Sequence, residues 1–173
     1  MKKAIIAIMT VLLTAVAVNA QTIKIPNTNV SFQFPTGGWK YLQTTKVNEN
    51  ATVYLYSWSS TYVVDSTGDT VIPFMRIYVR KNYSGTVFDM AYERFGTQPF
   101  QSLDEYPFRD GLGYWGAYAN EEDGKDYLFR MVYLKDRSNM LEIRLETTRD
   151  NYDEFDDKFQ EILKTVTISK SSK

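Results

Sequence analysis

Neither histidine nor cysteine occurs anywhere in the chain. That removes the commonest general base and the commonest metal ligand. Ser-His and Cys-His catalysis and Cys/His zinc sites go with them. Any reaction chemistry would fall to carboxylates, which gather in three places. Glu121, Glu122, Asp123 and Asp126 share one stretch, Asp65 and Asp69 another, and Asp150, Asp153, Glu154, Asp156 and Asp157 a third. Calcium takes several oxygen ligands, yet none of these spacings matches an EF-hand loop. The first two clusters read as solvated hairpin tips. The third reads as acids complementing the positive end of a helix. Two carboxylates flanking a bond could hydrolyse a glycoside, with Trp58 or Trp115 stacking on the sugar. No spacing in the chain brings such a pair across a cleft. A small carboxylate-dependent hydrolase or a calcium-binding protein is therefore the alternative reading. No catalytic residue, metal ligand or cofactor is assigned. Gly111-Leu112-Gly113 and Gly113-Tyr114-Trp115-Gly116 lack the spacing and the lysine of a phosphate loop and read as turn and strand glycines.

Binding chemistry has a better candidate. Tyr54, Tyr56 and Trp58 alternate along one segment, and Phe74, Arg76, Tyr78 and Arg80 along another. Tyr, Trp and Arg are the types enriched at binding hot spots. If the two segments pair, the seven residues could share one surface and dock a partner protein or an apolar ligand. The competing reading places that face under a helix, with Arg76 and Arg80 reaching out at its rim.

These residues need strands to carry them, and period-two alternation supplies strands in most of the chain. Val30–Phe34 alternates and ends in Pro35-Thr36-Gly37-Gly38, a turn; Trp39–Thr44 resumes. Thr52–Ser59 and Thr70–Arg80 flank the turn cluster Asp65-Ser66-Thr67-Gly68-Asp69 and read as a hairpin. Pro73 belongs at an edge or bulge. Ser84-Gly85-Thr86 opens a helix to about Phe95, ended by Gly96, with Phe88, Ala91, Tyr92 and Phe95 as its apolar stripe. Phe100–Arg109 and Leu112–Ala119 are strands around Asp110-Gly111. Asp123-Gly124 turns the chain into Tyr127–Leu134, which pairs with Asn139–Thr147. There Leu141, Ile143 and Leu145 alternate with Glu142, Arg144 and Glu146, one face core and the other wet. Tyr152, Phe155, Phe159, Ile162, Leu163 and Val166 mark a closing helix, with Asn151 and Glu154 spaced as a cap. Val166–Ser169 adds a last short strand. Hairpins with only two helices imply an α+β fold, a mainly antiparallel sheet flanked by helices.

The N-terminus addresses the chain outward. Lys2 and Lys3 precede the apolar run Ala4–Val16, and Val18-Asn19-Ala20 fits a cleavage site before Gln21. Residues 1–20 read as a signal peptide, 21–169 as a single α+β domain and 170–173 as a frayed tail. The run is shorter than the ~20 residues a spanning helix needs, so no anchor is expected after cleavage. Without cysteine the core must hold the exported fold unaided, and aromatics at 15% supply it. The balance of 20 Lys and Arg against 21 Asp and Glu shows no nucleic-acid footprint.

The segment Phe32-Gln33-Phe34-Pro35-Thr36-Gly37-Gly38-Trp39 resembles the strand, proline, turn and Gly-Trp opening of the PsbP-like superfamily (PsbP, Mog and DcrB-type domains). Phe155 to Ser169 resembles that group's closing helix and final strand. The resemblance implies a sheet sandwiched between helices, the α-β-α arrangement. Photosystem members use metal-binding residues that include histidine; this chain has none, so no metal site carries over. Together these readings give an exported, non-catalytic binding or accessory domain of the bacterial envelope, periplasmic or secreted. Its partner would be an envelope protein or an apolar ligand.

Overall fold

The computed structural model describes residues 20–35, 38–58, 63–64, 67–95, 100–105, 111–120 and 124–169; within these, the side chains of 63–64, 95, 100–105, 112–115 and 117–120 lie outside the description. The expectations for the leader up to Asn19, for Asp65, Ser66, Gly96, Glu121–Asp123 and the tail 170–173 therefore fall outside the described residues, as does the side chain of Trp115.

Strand pairing follows the hairpin signals. β3 (Trp39–Asn48), β4 (Ala51–Trp58), β7 (Phe74–Arg80), β8 (Phe100–Glu105), β9 (Gly111–Asn120), β10 (Lys125–Asp136) and β11 (Asn139–Thr148) form one antiparallel sheet. Their order is β3-β4-β7-β11-β10-β9-β8. A second sheet joins β1 (Gln21–Lys24), β2 (Val30–Phe34) and β12 (Thr167–Ile168) in the order β1-β2-β12. β5 (Val63–Val64) and β6 (Thr70–Val71) pair as a small arm. The expected strand Thr70–Arg80 is thus broken at Ile72-Pro73, since proline has no N–H to give a ladder. The Pro73 carbonyl instead accepts from the Trp58 N–H at 3.0 Å.

The two helices cover opposite faces. α2 (Tyr152–Leu163) lies over β10, β11 and β2. Its Phe155, Phe159, Ile162 and Leu163 meet Met75, Ile77, Val132, Leu141, Ile143 and Leu145 of the large sheet and Phe32 and Phe34 of the small one. Arg130 on β10 pins it by a two-pronged ion pair to Asp156. Asn151 stands at the N-cap of α2 but makes no side-chain cap bond. It sits in a 3₁₀ turn, Arg149–Asn151, and its side chain donates to Thr148 Oγ1 at 3.1 Å. The small sheet is tied down where Asp136 accepts from the Asn29 backbone N–H and side-chain amide at 2.7 and 3.0 Å.

On the other face lies α1 (Val87–Phe95), against β9 and β10. Thr86 caps it: Asp89 N–H donates to Thr86 Oγ1 at 3.1 Å and the Thr86 N–H returns to the Asp89 carboxylate at 2.7 Å, a reciprocal cap. The buried stripe of α1 is Val87, Met90 and Ala91, with Phe88 and Tyr92 exposed. This corrects the expected stripe through Phe88 and Tyr92. Both sets have helical spacing, and the one aimed at Phe129, Met131 and Tyr133 is buried. The fold is α+β, a mainly antiparallel sheet between two helices. Among the described residues no helix is long and apolar enough to cross a membrane.

Candidate functional site

The aromatic surface expected from sequence does not form. In an antiparallel pair, residues directly opposite share a face. β4 and β7 pair with Tyr54 opposite Ile77 and Tyr56 opposite Met75, while Val53 faces Tyr78, Leu55 faces Arg76 and Ser57 faces Phe74. Tyr54, Tyr56 and Trp58 therefore lie on the α2 face, and Phe74, Arg76, Tyr78 and Arg80 on the α1 face. Alternation within each strand was legible; the phase between strands was not, and a slip of one residue exchanges faces.

On the α2 face the rings build the core. Tyr56 is 6% exposed and meets Phe32, Phe34 and Tyr41 edge to face. Trp58, half-buried, stands edge-on to Trp39 and Phe155 at 5.5 and 5.3 Å, with Lys158 Nζ over its ring. Burial, with Tyr41 and Tyr54 nearby, pushes the Tyr56 hydroxyl up to about 12.

The α1 face carries the site. Two rows cross four strands there. One runs Gln43, Leu55, Arg76, Arg144; the next runs Thr45, Val53, Tyr78, Glu142. With Arg94 from the last turn of α1 they line a groove of about 320 Å³, within the size range of small-molecule sites. The expectation that Glu142, Arg144 and Glu146 form a wet face is corrected, because α1 and cross-strand pairing cover them. Glu142 is 2% exposed. It accepts from Arg94 Nε and Nη2 at 3.0 and 3.3 Å and from the Tyr133 hydroxyl at 2.8 Å. Burial alone would lower the Arg94 guanidinium; the hydrogen bond and charge of Glu142 outweigh it and hold the group above its ordinary value. The same guanidinium lies 4.1 Å over the Tyr78 ring. Arg144 pairs with Glu146 at 2.6 Å.

Arg76 is engaged differently. Its side chain is 44% exposed and reaches Glu146 only at 3.7 Å. Of the expected site residues, the groove brings together Arg76 and Tyr78. Arg80 turns to Glu93 on α1 and lies over the Tyr83 ring. Phe74 sits one row beyond the groove, opposite Glu146. Gln43, Thr45, Val53, Leu55, Arg94, Glu142 and Arg144 were not singled out from sequence. A usable signal existed: Arg76, Glu142, Arg144 and Glu146 are charges of equal parity on two strands, and such charges seek each other on one face.

Among the described residues the carboxylate alternatives gain no geometry. Asp69 pairs with Lys125 at 3.0 Å and Asp126 with Arg149 at 3.5 Å. Among the described residues no three acidic side chains gather to hold a metal ion. Gly111, Gly113 and Gly116 lie within β9.

No family model matches the chain, and no curated protein matches it by sequence. Solved structures do. A crystal structure from Bacteroides thetaiotaomicron matches over 88% of this chain and 49% of its own, with a TM-score of 0.57 and 13% identity; the present chain spans about half of that neighbour. LpqN, involved in cell envelope biogenesis of Mycobacterium tuberculosis, matches over 88% of this chain and 92% of its own, at TM-score 0.53 and 12% identity. The Saccharomyces cerevisiae Ran-binding protein Mog1p matches over 87% and 95%, at TM-score 0.53 and 10% identity. At such identities the likeness is one of fold. In fold, the chain resembles the PsbP-like superfamily, the group that includes the Mog proteins.

Proposed function

We propose that this protein is an exported, non-catalytic binding or accessory domain of the bacterial envelope, and that the α1-face groove is its recognition site. One observation carries the reading: the groove combines a buried hydrogen-bonded network around Glu142 with a mouth that stays accessible. Glu142 is saturated by Arg94 and Tyr133, which fixes the walls. Leu55 and Val53 give an apolar floor, and Arg76 stands at the opening. A few placed polar groups over apolar lining is the usual make-up of a ligand site. Glu142, the acid among the described lining residues, is held by Arg94, an arrangement suited to holding a ligand and poorly suited to moving protons. The leader-like residues 1–20 support export, and LpqN's envelope role and Mog1p's Ran binding are consistent with a binding fold.

The test compares the wild-type protein with Leu55→Trp, which fills the groove. Each is used to retain material from the native envelope fraction, and proteins and small molecules are quantified by mass spectrometry. At least one component held by wild type should be lost from a Leu55→Trp protein of unchanged melting temperature. Identical retained sets would remove the groove as the recognition site, and recovery of the protein in the cytosol would remove export.

A further inference from the structure

Among the described residues the charges in and beside the groove do not cancel. Arg76, Arg94 and Arg144 line the groove with Glu142, and Glu146 lies one row beyond it. Glu142 is engaged by Arg94 and the Tyr133 hydroxyl, and Glu146 makes its closer ion pair, 2.6 Å, with Arg144. Arg76 has a loose 3.7 Å contact and an accessible side chain, so its guanidinium can meet a ligand at the mouth. A guanidinium presents its N–H groups as a planar fork that matches a carboxylate. The two nearby glutamates disfavour a doubly charged group.

What lies beside Arg76 sets the rest of the ligand. Leu55 is its direct neighbour on β4, and Val53 is the neighbour of Tyr78. Beyond them Gln43 and Thr45 close the groove on edge strand β3. Two strand spacings separate Arg76 from Gln43, roughly 10 Å. An anion held at Arg76 would lay its next atoms across Leu55 and Val53.

Resting on the reading of the groove as the recognition site, we propose that its ligand is a small amphiphilic monocarboxylate. The carboxylate pairs with Arg76 and the apolar body lies over Leu55 and Val53. Glu142 and Arg94 shape the pocket without touching the head.

The probes are octanoate, octanol and octyltrimethylammonium, titrated into the purified protein with the methyl resonances of Val53 and Leu55 as readout. Octanoate should shift those methyls and bind at least about tenfold more tightly than octanol, as a charge-assisted hydrogen bond requires. Octyltrimethylammonium should bind more weakly than either. Arg76→Gln should bring octanoate down to the octanol level, and Arg76→Lys should fall between, since a point charge lacks the fork. Octanol binding as tightly as octanoate, or octanoate indifferent to Arg76→Gln, overturns the carboxylate while leaving the groove a binding site. If no probe moves the methyls the carboxylate proposal falls as well, and the Leu55→Trp comparison then decides separately whether the groove recognises anything.

Discussion

Truncating Trp58 separates the two faces of the sheet most cleanly. Sequence alone left Trp58 either in the core or on a docking surface. The structure stands it edge-on to Trp39 and Phe155 at centroid distances of 5.5 and 5.3 Å, packed against the α2-side cluster. A fully buried Phe or Trp cut to Ala costs ~3–5 kcal/mol. Trp58 is half-buried, which moves the figure to the lower end; the two aromatic contacts, each ~0.5–1.5 kcal/mol beyond area, keep it there. Trp58→Ala should thus cost about 3 kcal/mol. In a domain of this size each kcal/mol lowers Tm by ~2–4 °C, so the drop should be about 6–12 °C. Thermal and urea unfolding, followed by far-ultraviolet circular dichroism, measure it. Groove-dependent retention from the envelope fraction should persist well below the lowered Tm. A shift under about 2 °C together with lost retention would return recognition to the aromatic face and refute the face assignment.

Other outcomes follow from the same geometry. Gly38 has φ +117°, and a Cβ there would fall 2.6 Å from the Trp58 ring. Gly38→Ala should cost ~2–3 kcal/mol in wild type and only about 1 in the Trp58→Ala background, where strain remains but the clash is gone; equal costs in both would show that the ring is not the obstacle. Tyr133→Phe and Glu142→Gln should each destabilise, by ~1 and ~2 kcal/mol, and their double mutant should show coupling of at least ~0.5 kcal/mol because they share one hydrogen bond; strict additivity would deny the network. In alkali, burial holds the Tyr56 and Tyr152 hydroxyls at about 12 against an ordinary 10.0. The unfolded chain loses these protons near pH 10 and the folded one near 12. Stability is therefore full below pH 10 and falls as pH rises towards 12. Tyr56→Phe should flatten that decline in urea melts across the window, and an unchanged slope would count against the burial.

The legible part of the fold was local. Period-two runs gave the strands, and the turn signal at Asp123-Gly124 falls where the chain reverses between Asn120 and Lys125, with Gly124 at positive φ. The closing helix was legible because Phe155, Phe159, Ile162 and Leu163 leave one apolar stripe. α1 offered two stripes of similar apolarity, and only the sheet beneath it selects Val87, Met90 and Ala91. The site was half legible. Arg76 and Tyr78 were named for their types, but their companions lie 16 to 68 residues away in sequence, joined by strand register. Register depends on long-range pairing, which no single strand's alternation encodes. Ile72-Pro73 breaks the second strand, so counting back through the intervening arm could not set the phase between β4 and β7.

The central claim is that recognition happens on the α1 face of the sheet. Tyr41 and Thr45 sit on the same edge strand, both exposed, and face opposite sides: Tyr41 pairs with Tyr56 and Thr45 with Val53. A photoreactive benzoylphenylalanine placed at either position, in the exported protein in native cells, samples the two faces from nearly the same place. The account predicts an adduct from position 45, abolished by Leu55→Trp, and none from position 41. An adduct from position 41 with none from position 45 would contradict it.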